Sequence, residues 1–177
     1  MRTQIVETYF YDKLNERQNI TIYTRPNIFV TIKSTNEKNE PTGYVNLYFH
    51  DNNRIYLSEV YCYDQFRNRN IASSLMKIAE EYLSYKEEYI IRGDYNPTQL
   101  STDRENGIMR TEKKLDEAAR NFYESVGFQI VSLEEYNKNP DLYNEITLKD
   151  DFMLGEDYSD IIVYKKINNQ KVKLITY

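Results

Sequence analysis

Little in this chain invites covalent or metal chemistry. Its 177 residues include one cysteine, Cys62, and one histidine, His50. A lone cysteine excludes an internal disulfide framework and makes a reducing, cytoplasmic setting the expectation. One histidine beside one cysteine excludes a conventional His/Cys metal site, so no metal is expected, and it argues against a Ser-His-Asp triad. No apolar run approaches the roughly 18 residues that a membrane span needs. The opening MRTQIVETYFYDK lacks the apolar core of a secretion signal, so no membrane partner is expected. Glycine and proline are scarce, at 5 and 4 residues, and mark turns rather than linkers. Cations are outnumbered, 23 Lys and Arg against 28 Asp and Glu, giving a net charge of −5. That balance argues against a nucleic-acid partner, which needs clustered Lys and Arg for the phosphates.

What is present is unevenly spread. Residues 133–160 hold nine acids against two lysines, a local net charge of −7, so the rest of the chain is about +2. Such a stretch is ordinarily a solvated loop; the alternative is a lip that attracts a cationic acceptor. The 18 tyrosines suit a strand-rich protein.

The apolar periodicity orders the elements. Residues 27–34 (NIFVTIKS) predict a strand, and the polar stretch 35–43 a hairpin connection. Residues 44–50 alternate, with Val45, Leu47 and Phe49 on one face, and 55–63 predict a third strand after the turn 51–53. The period then changes: Ile71, Leu75, Ile78, Ala79, Tyr82 and Leu83 share one helix face. A short strand at 89–92, an irregular stretch 101–111 and a helix over 112–125 follow. Gly127 stands at the position of a helix C-terminal cap. Strands are expected at 128–132 and 160–167, and Asn168-Asn169 permits a final hairpin with 172–177. The order is that of an α+β domain built on one central sheet.

The junction from Glu59 to Leu75, EVYCYDQFRNRNIASSL, runs a strand through a polar loop straight into an amphipathic helix. Amides at a helix N-terminus and in a tight loop point at whatever sits there, which makes an anion site. Arg67 and Arg69 would add formal charge. The segment resembles motif A of the GNAT acetyltransferases, whose pyrophosphate loop reads Arg/Gln-x-x-Gly-x-Gly/Ala. Here it is Arg67-Asn68-Arg69-Asn70-Ile71-Ala72, with asparagine at the middle glycine. Asparagine is the next-best residue for a left-handed φ, and it is also a good helix N-cap. Residues 119–128, ARNFYESVGF, resemble motif B of the same family, A-x-x-(F/L)-Y-x-x-x-G-F, with Asp116 where the family often has asparagine.

The resemblance implies the GNAT (acyl-CoA N-acyltransferase) fold, a mostly antiparallel splayed sheet flanked by helices. It implies one domain over 1–177, with motif A at about 55–86, motif B at about 116–130 and the acidic insertion at about 133–160. The implied co-substrate is acetyl-CoA. It would be held by main-chain groups of Val60, Cys62 and Tyr63, by Arg67, Asn68, Arg69, Asn70, Ile71, Ala72 and Ser73, and by Asp116, Ala119 and Phe122. Cys62 is expected to be a buried structural thiol rather than a nucleophile, since no base for it is apparent.

The implied reaction is attack of an amine on the thioester. Amines are mostly protonated at pH 7, lysine having a reference pKa of about 10.4, so a base is needed. Glu59, acting through water, is the candidate. Strict alternation places it on one strand face with Leu57 and Tyr61, an apolar setting of the kind that raises a carboxyl pKa. A surface carboxylate is the alternative for Glu59. Tyr123 holds the motif B position from which family members often protonate the departing thiolate. The family's first two helices are expected to be shortened to something within residues 6–17, with residues 98–114 and 133–160 as insertions that set specificity. Acceptors in view are a protein lysine, an N-terminus or a small cationic amine. The rival is a catalytically decayed GNAT-fold binding or inhibitory module, suggested by Asn70 and the shortened N-terminus. A third reading uses the C-terminal hairpin as a homodimer edge.

Overall fold

In the computed structural model, residues 3–51, 53–95, 112–143 and 161–169 are described. Eight strands make one sheet: β1 (Gln4–Tyr11), β2 (Arg17–Arg25), β3 (Phe29–Thr35), β4 (Pro41–Phe49), β5 (Arg54–Cys62), β6 (Glu88–Asp94), β7 (Gln129–Ser132) and β8 (Ile161–Asn168). The helices are α1 (Ile71–Tyr82), α2 (Glu112–Ser125) and two short ones, α3 (Leu133–Lys138) and α4 (Pro140–Tyr143). The strand order is β1-β2-β3-β4-β5-β6-β8-β7. Every neighbouring pair is antiparallel except β5 with β6. Among the described residues no helix is long and apolar enough to cross a membrane.

The alternation read from the sequence is what builds the core. Ile20 and Ile22 of β2, Val30 and Ile32 of β3, Val45 and Leu47 of β4, and Ile55 and Leu57 of β5 are buried. They face α1, which meets them with Ile71, Leu75, Met76 and Ala79. Each such aliphatic side chain contributes about 1.5–3 kcal/mol by leaving water. That burial holds α1, and the loop that opens it, in a fixed place on the sheet. α2 ends as expected. The amides of Gly127 (φ 83°) and Phe128 return to the carbonyls of Glu124 and Tyr123 at 3.0 and 2.9 Å, a Schellman closure.

The N-terminus corrects the sequence reading. Residues 6–17 form no shortened helix; they belong to a β-hairpin, β1 paired with β2. The reason lies in the next segment. Gln18, Ile20, Ile22 and Thr24 are buried with a period of two, so β2 is a strand of the core, and β1 is its hairpin partner. The turn is made by Asp12, whose Oδ1 accepts the amides of Leu14 (2.9 Å) and Glu16 (3.0 Å), and by Asn15 at φ 60°. The start of the acidic stretch is also more ordered than a plain loop. Ser132 and Glu135 make a reciprocal capping box on α3, and Glu134 pairs with Lys138 at 2.6 Å. Those acids serve the helix that carries them. Residues 144–160, the irregular stretch 101–111 and the expected last strand 172–177 lie outside the described residues.

Two irregularities position the site. β5 and β6 pair over only three positions, Arg54–Ile90, Ile55–Ile91 and Tyr56–Arg92, and then part. At the parting, Gly93 lies so close to β5 that a Cβ there would meet the Leu57 carbonyl at 2.7 Å. Beyond it, no described strand pairs with residues 57–62 of β5 on that side. The second irregularity is a bulge. Leu47 pairs with Leu57 but Asn46 pairs with Glu59, leaving Ser58 as the extra residue.

Candidate active site

From β5 the chain passes through a short 3-10 turn, Asp64–Phe66, and enters α1 by way of Arg67 to Asn70. Asn68 (φ 61°) and Asn70 (φ 62°) are both left-handed, while Arg69 between them is not. Alternating φ signs curl the backbone so that successive amides converge on one point. Asn70 makes no side-chain cap, so its contribution is its dihedral angle, the property that the family's glycine supplies. The first α-helical hydrogen bond is from the Ser74 amide to the Asn70 carbonyl (2.9 Å). The amides of Ile71, Ala72 and Ser73 therefore have no acceptor within the helix.

The two arginines of the loop part company. Arg67 lies among the cleft-lining residues and pairs with Asp64 at 2.5 Å. Arg69 turns the other way. Its Nε reaches Asp12 Oδ2 at 2.8 Å and its Nη2 contacts both Asp12 and Glu16, while its carbonyl accepts the Lys13 amide at 3.1 Å. Arg69 thus fastens the hairpin turn to the loop rather than standing beside a ligand. The Asp12 side chain has no exposed surface and also accepts from Gln18 Nε2 at 2.9 Å. Burial pulls its carboxyl pKa upward. The Arg69 hydrogen bond and the Glu16 and Leu14 amides outweigh that and hold it below the usual value. From Gln18 the network runs inward to Thr42 and Ser34, each link under 3 Å.

The free edge of β5 can be read from its pairing. The Tyr63 amide donates to the Thr42 carbonyl at 3.1 Å, so it is committed to β4. In an antiparallel ladder the main-chain groups of successive residues point to opposite sides. Those of Cys62 and Val60 therefore point away from β4, into the gap left by β6. The Cys62 thiol is half-buried, and burial pushes its pKa up to about 11, which suits an inert side chain.

Across the gap stands α2. Ala119, Phe122 and Tyr123 line the same cleft as Val60, Cys62, Arg67, Asn68, Asn70, Ile71, Ala72 and Ser73, and its volume is about 520 Å³. Tyr123 packs against Phe122, Phe128 and Tyr95. Burial, with the Asp94 carboxylate nearby, pushes its phenol up to about 12, so it keeps its proton at neutral pH. The side chain of Asp116 lies outside the described residues.

Glu59 sits at the cleft but not in the setting that strict alternation predicted. The bulge at Ser58 reverses the faces between Leu57 and Glu59, so Leu57 is buried while Glu59 is exposed beside Tyr61. Its neighbours are polar. Tyr44 Oη donates to Glu59 Oε1 at 2.6 Å, and Asn46, oriented by Thr31 at 2.9 Å, lies 3.5 Å from Oε2. Burial, with the Glu59 hydrogen bond, pushes the Tyr44 phenol well above its ordinary value. Sequence reasoning assigned no role to Ser58, Ala118, Asn121 or Ser125, which line the cleft, as does Asp94 at the end of β6. Their spacing carries no periodic signal; only the parting of β5 from β6 brings them to one place. Among the described residues no group of three or more His, Cys, Asp or Glu side chains could hold a metal ion.

A family model of the acetyltransferase (GNAT) domain matches residues 25–130, well over half of the chain. The chain belongs to the GNAT acetyltransferase family. The match spans both motifs and begins where β2 ends, so the N-terminal hairpin precedes it. A comparison with curated protein sequences gave no match. Among solved structures, a GNAT-family acetyltransferase from Staphylococcus aureus Mu50 is similar with a TM-score of 0.48 and 16% identity, over 78% of this chain and 68% of that one. The PaiA N-acetyltransferase of Thermoplasma acidophilum, in complex with coenzyme A, gives 0.46 and 15% over 79% and 62%. The ribosomal-protein-S18-alanine N-acetyltransferase of Escherichia coli gives 0.47 and 9% over 87% and 77%.

Proposed function

We propose that the protein transfers the acetyl group of acetyl-CoA to a primary amine. The observation that carries this reading is the continuity of one cleft, from the amides that open α1 without an acceptor in the helix, along the β5 edge that no described strand covers, to the Tyr123 phenol. The pyrophosphate belongs at the Asn68–Ser73 amides, with the Arg67 charge beside it. The pantetheine arm runs along Val60 and Cys62, where a main-chain N–H donates to the thioester oxygen as negative charge develops on it.

The amine nitrogen attacks the thioester carbon, the carbon–sulfur bond breaks, and the sulfur leaves as thiolate. Before attack the ammonium gives one proton to Glu59, directly or through water, and after attack the nitrogen sheds its second proton to solvent. The thiolate takes a proton from Tyr123, which recovers one from solvent. The rival reading, a decayed binding module, rested partly on Asn70. Its left-handed φ removes that ground, because the loop keeps the geometry that a glycine would give it.

Thermal unfolding with acetyl-CoA tests the reading. At a hundredfold excess over Kd the ligand adds about 2.7 kcal/mol. For a chain of this size that raises Tm by roughly 5–10 °C. Mass spectrometry of an amine mixture incubated with enzyme and acetyl-CoA should then show acetylated products. An unchanged Tm at millimolar acetyl-CoA would sink the proposal.

A further inference from the structure

The cleft divides its charge along its length. At the loop end are Arg67 and the amides that open α1. At the other end the carboxylates are Glu59 on β5 and Asp94 on β6, one on each side of the parting strands. Among the described lining residues Arg67 is the only lysine or arginine, and it is paired with Asp64. Both carboxylates are held by tyrosine hydroxyls, Glu59 by Tyr44 at 2.6 Å and Asp94 by Tyr56 at 2.9 Å. A carboxylate offers about four acceptor sites, so one phenol leaves capacity for an incoming donor.

Beside Glu59 the surface is aromatic. The Tyr44 and Tyr61 rings stack at 5.4 Å with 28° between planes, and Tyr63 stands edge-on to Tyr61 at 5.1 Å. A fixed carboxylate next to π faces is a site for an alkylammonium group, whose charge meets the oxygen while its methylenes lie on the rings. Two carboxylates across a gap call for two such charges. A carboxylate on the acceptor would meet Glu59 and Asp94 first, since the described arginines nearest that end do not line the cleft and lie over rings, Arg92 over Tyr56 at 6.0 Å and Arg120 over Tyr95 at 5.5 Å, and this disfavours free amino acids. A single lysine side chain of a protein would leave one carboxylate unmatched.

We infer that the acceptor is an aliphatic diamine or polyamine, one ammonium held by Glu59 and the Tyr44–Tyr61 pair and another by Asp94. The inference rests on acetyl-CoA occupying the loop end of the same cleft. The ammonium at Glu59 is the one that loses its proton and attacks.

The test compares kcat/KM at saturating acetyl-CoA for diaminobutane, spermidine, butylamine, free lysine and a lysine-containing peptide. Diaminobutane and spermidine should exceed butylamine by about tenfold or more, with the gap narrowing as salt is added. Free lysine should be slowest. Asp94→Asn should raise KM for diaminobutane about tenfold, barely change it for butylamine, and leave acetyl-CoA affinity intact. Equal or better turnover of butylamine, free lysine or the peptide overturns the inference. So does tight acetyl-CoA binding without acetylation of any diamine. Were acetyl-CoA itself not to bind, the proposed function would fall, and calorimetry with diaminobutane alone would decide the subsite. Binding lost in Asp94→Asn supports it, and no heat with the wild type overturns it.

Discussion

Replacing Asp12 by asparagine tests whether the hairpin turn is a structural clasp on the cleft loop. The side chain has no exposed surface, Arg69 is 12% exposed, and Glu16, the other partner of that guanidinium, is 57% exposed. Removing one member of a buried ion pair costs about 3–5 kcal/mol. Asparagine keeps the size and one acceptor oxygen for the turn amides, and Arg69 keeps Glu16, so about 2–3 kcal/mol is expected here. At 2–4 °C per kcal/mol, Tm should fall by roughly 4–12 °C. Glu16→Gln, at an exposed position, should cost less than about 1 kcal/mol.

The dependence on pH supplies a second check. The folded carboxyl pKa of Asp12 lies below its ordinary 3.8, so its stabilisation is complete above pH 3.8 and fades as pH falls through the folded value. The gap in Tm between wild type and Asp12→Asn should therefore stay constant from pH 7 to 5 and close below pH 3.8. Scanning fluorimetry or far-UV circular dichroism measures it. A Tm within about 2 °C of wild type, or a loss matched by Glu16→Gln, would refute the clasp.

Asn70→Gly should preserve acetyl-CoA affinity, whereas Asn70→Val, a β-branched residue forced to positive φ at a cost of about 1–3 kcal/mol, should weaken it by about tenfold or more in calorimetry. Normal binding by the valine variant would show that the loop does not need this dihedral. Tyr123→Phe keeps the packing with Phe122 and Phe128 but removes the hydroxyl. Its single-turnover rate should drop about tenfold to a thousandfold, or about 1.4–4 kcal/mol of barrier, with acetyl-CoA affinity nearly unchanged. An unaltered rate would return the proton to water.

Where one face of an element is apolar, the sequence announced it. α2 has the predicted limits, 112 and 125, because its cap, Gly127, and its period are local signals. β3, β4 and β5 were likewise visible in alternation. The same signal was present in β2, where Ile20 and Ile22 alternate with polar residues, but no element was assigned to residues 18–26. β1 offered nothing to read, since nearly every residue of it is exposed. Within the site, the loop was legible as an anion cradle from its composition. The destination of Arg69 was not, because its partner lies 57 residues away across the hairpin turn. Nor was the environment of Glu59, since the bulge at Ser58 exists only in the pairing of β5 with β4 and reverses every face beyond it.

The left-handed turns reach beyond the loop. Among the described residues, every non-glycine with positive φ is an asparagine: Asn15, Asn27, Asn39, Asn68 and Asn70, at φ 56–62°. This explains how a chain with so few glycines closes its hairpins. Glycine would adopt these angles with less strain, but its unfolded chain roams more freely and loses more entropy on folding. Part of the stability of these turns therefore resides in the denatured ensemble, which asparagine keeps smaller. With glycine at all five positions the native backbone would be the same, while the unfolded chain it competes with would be more numerous in its conformations.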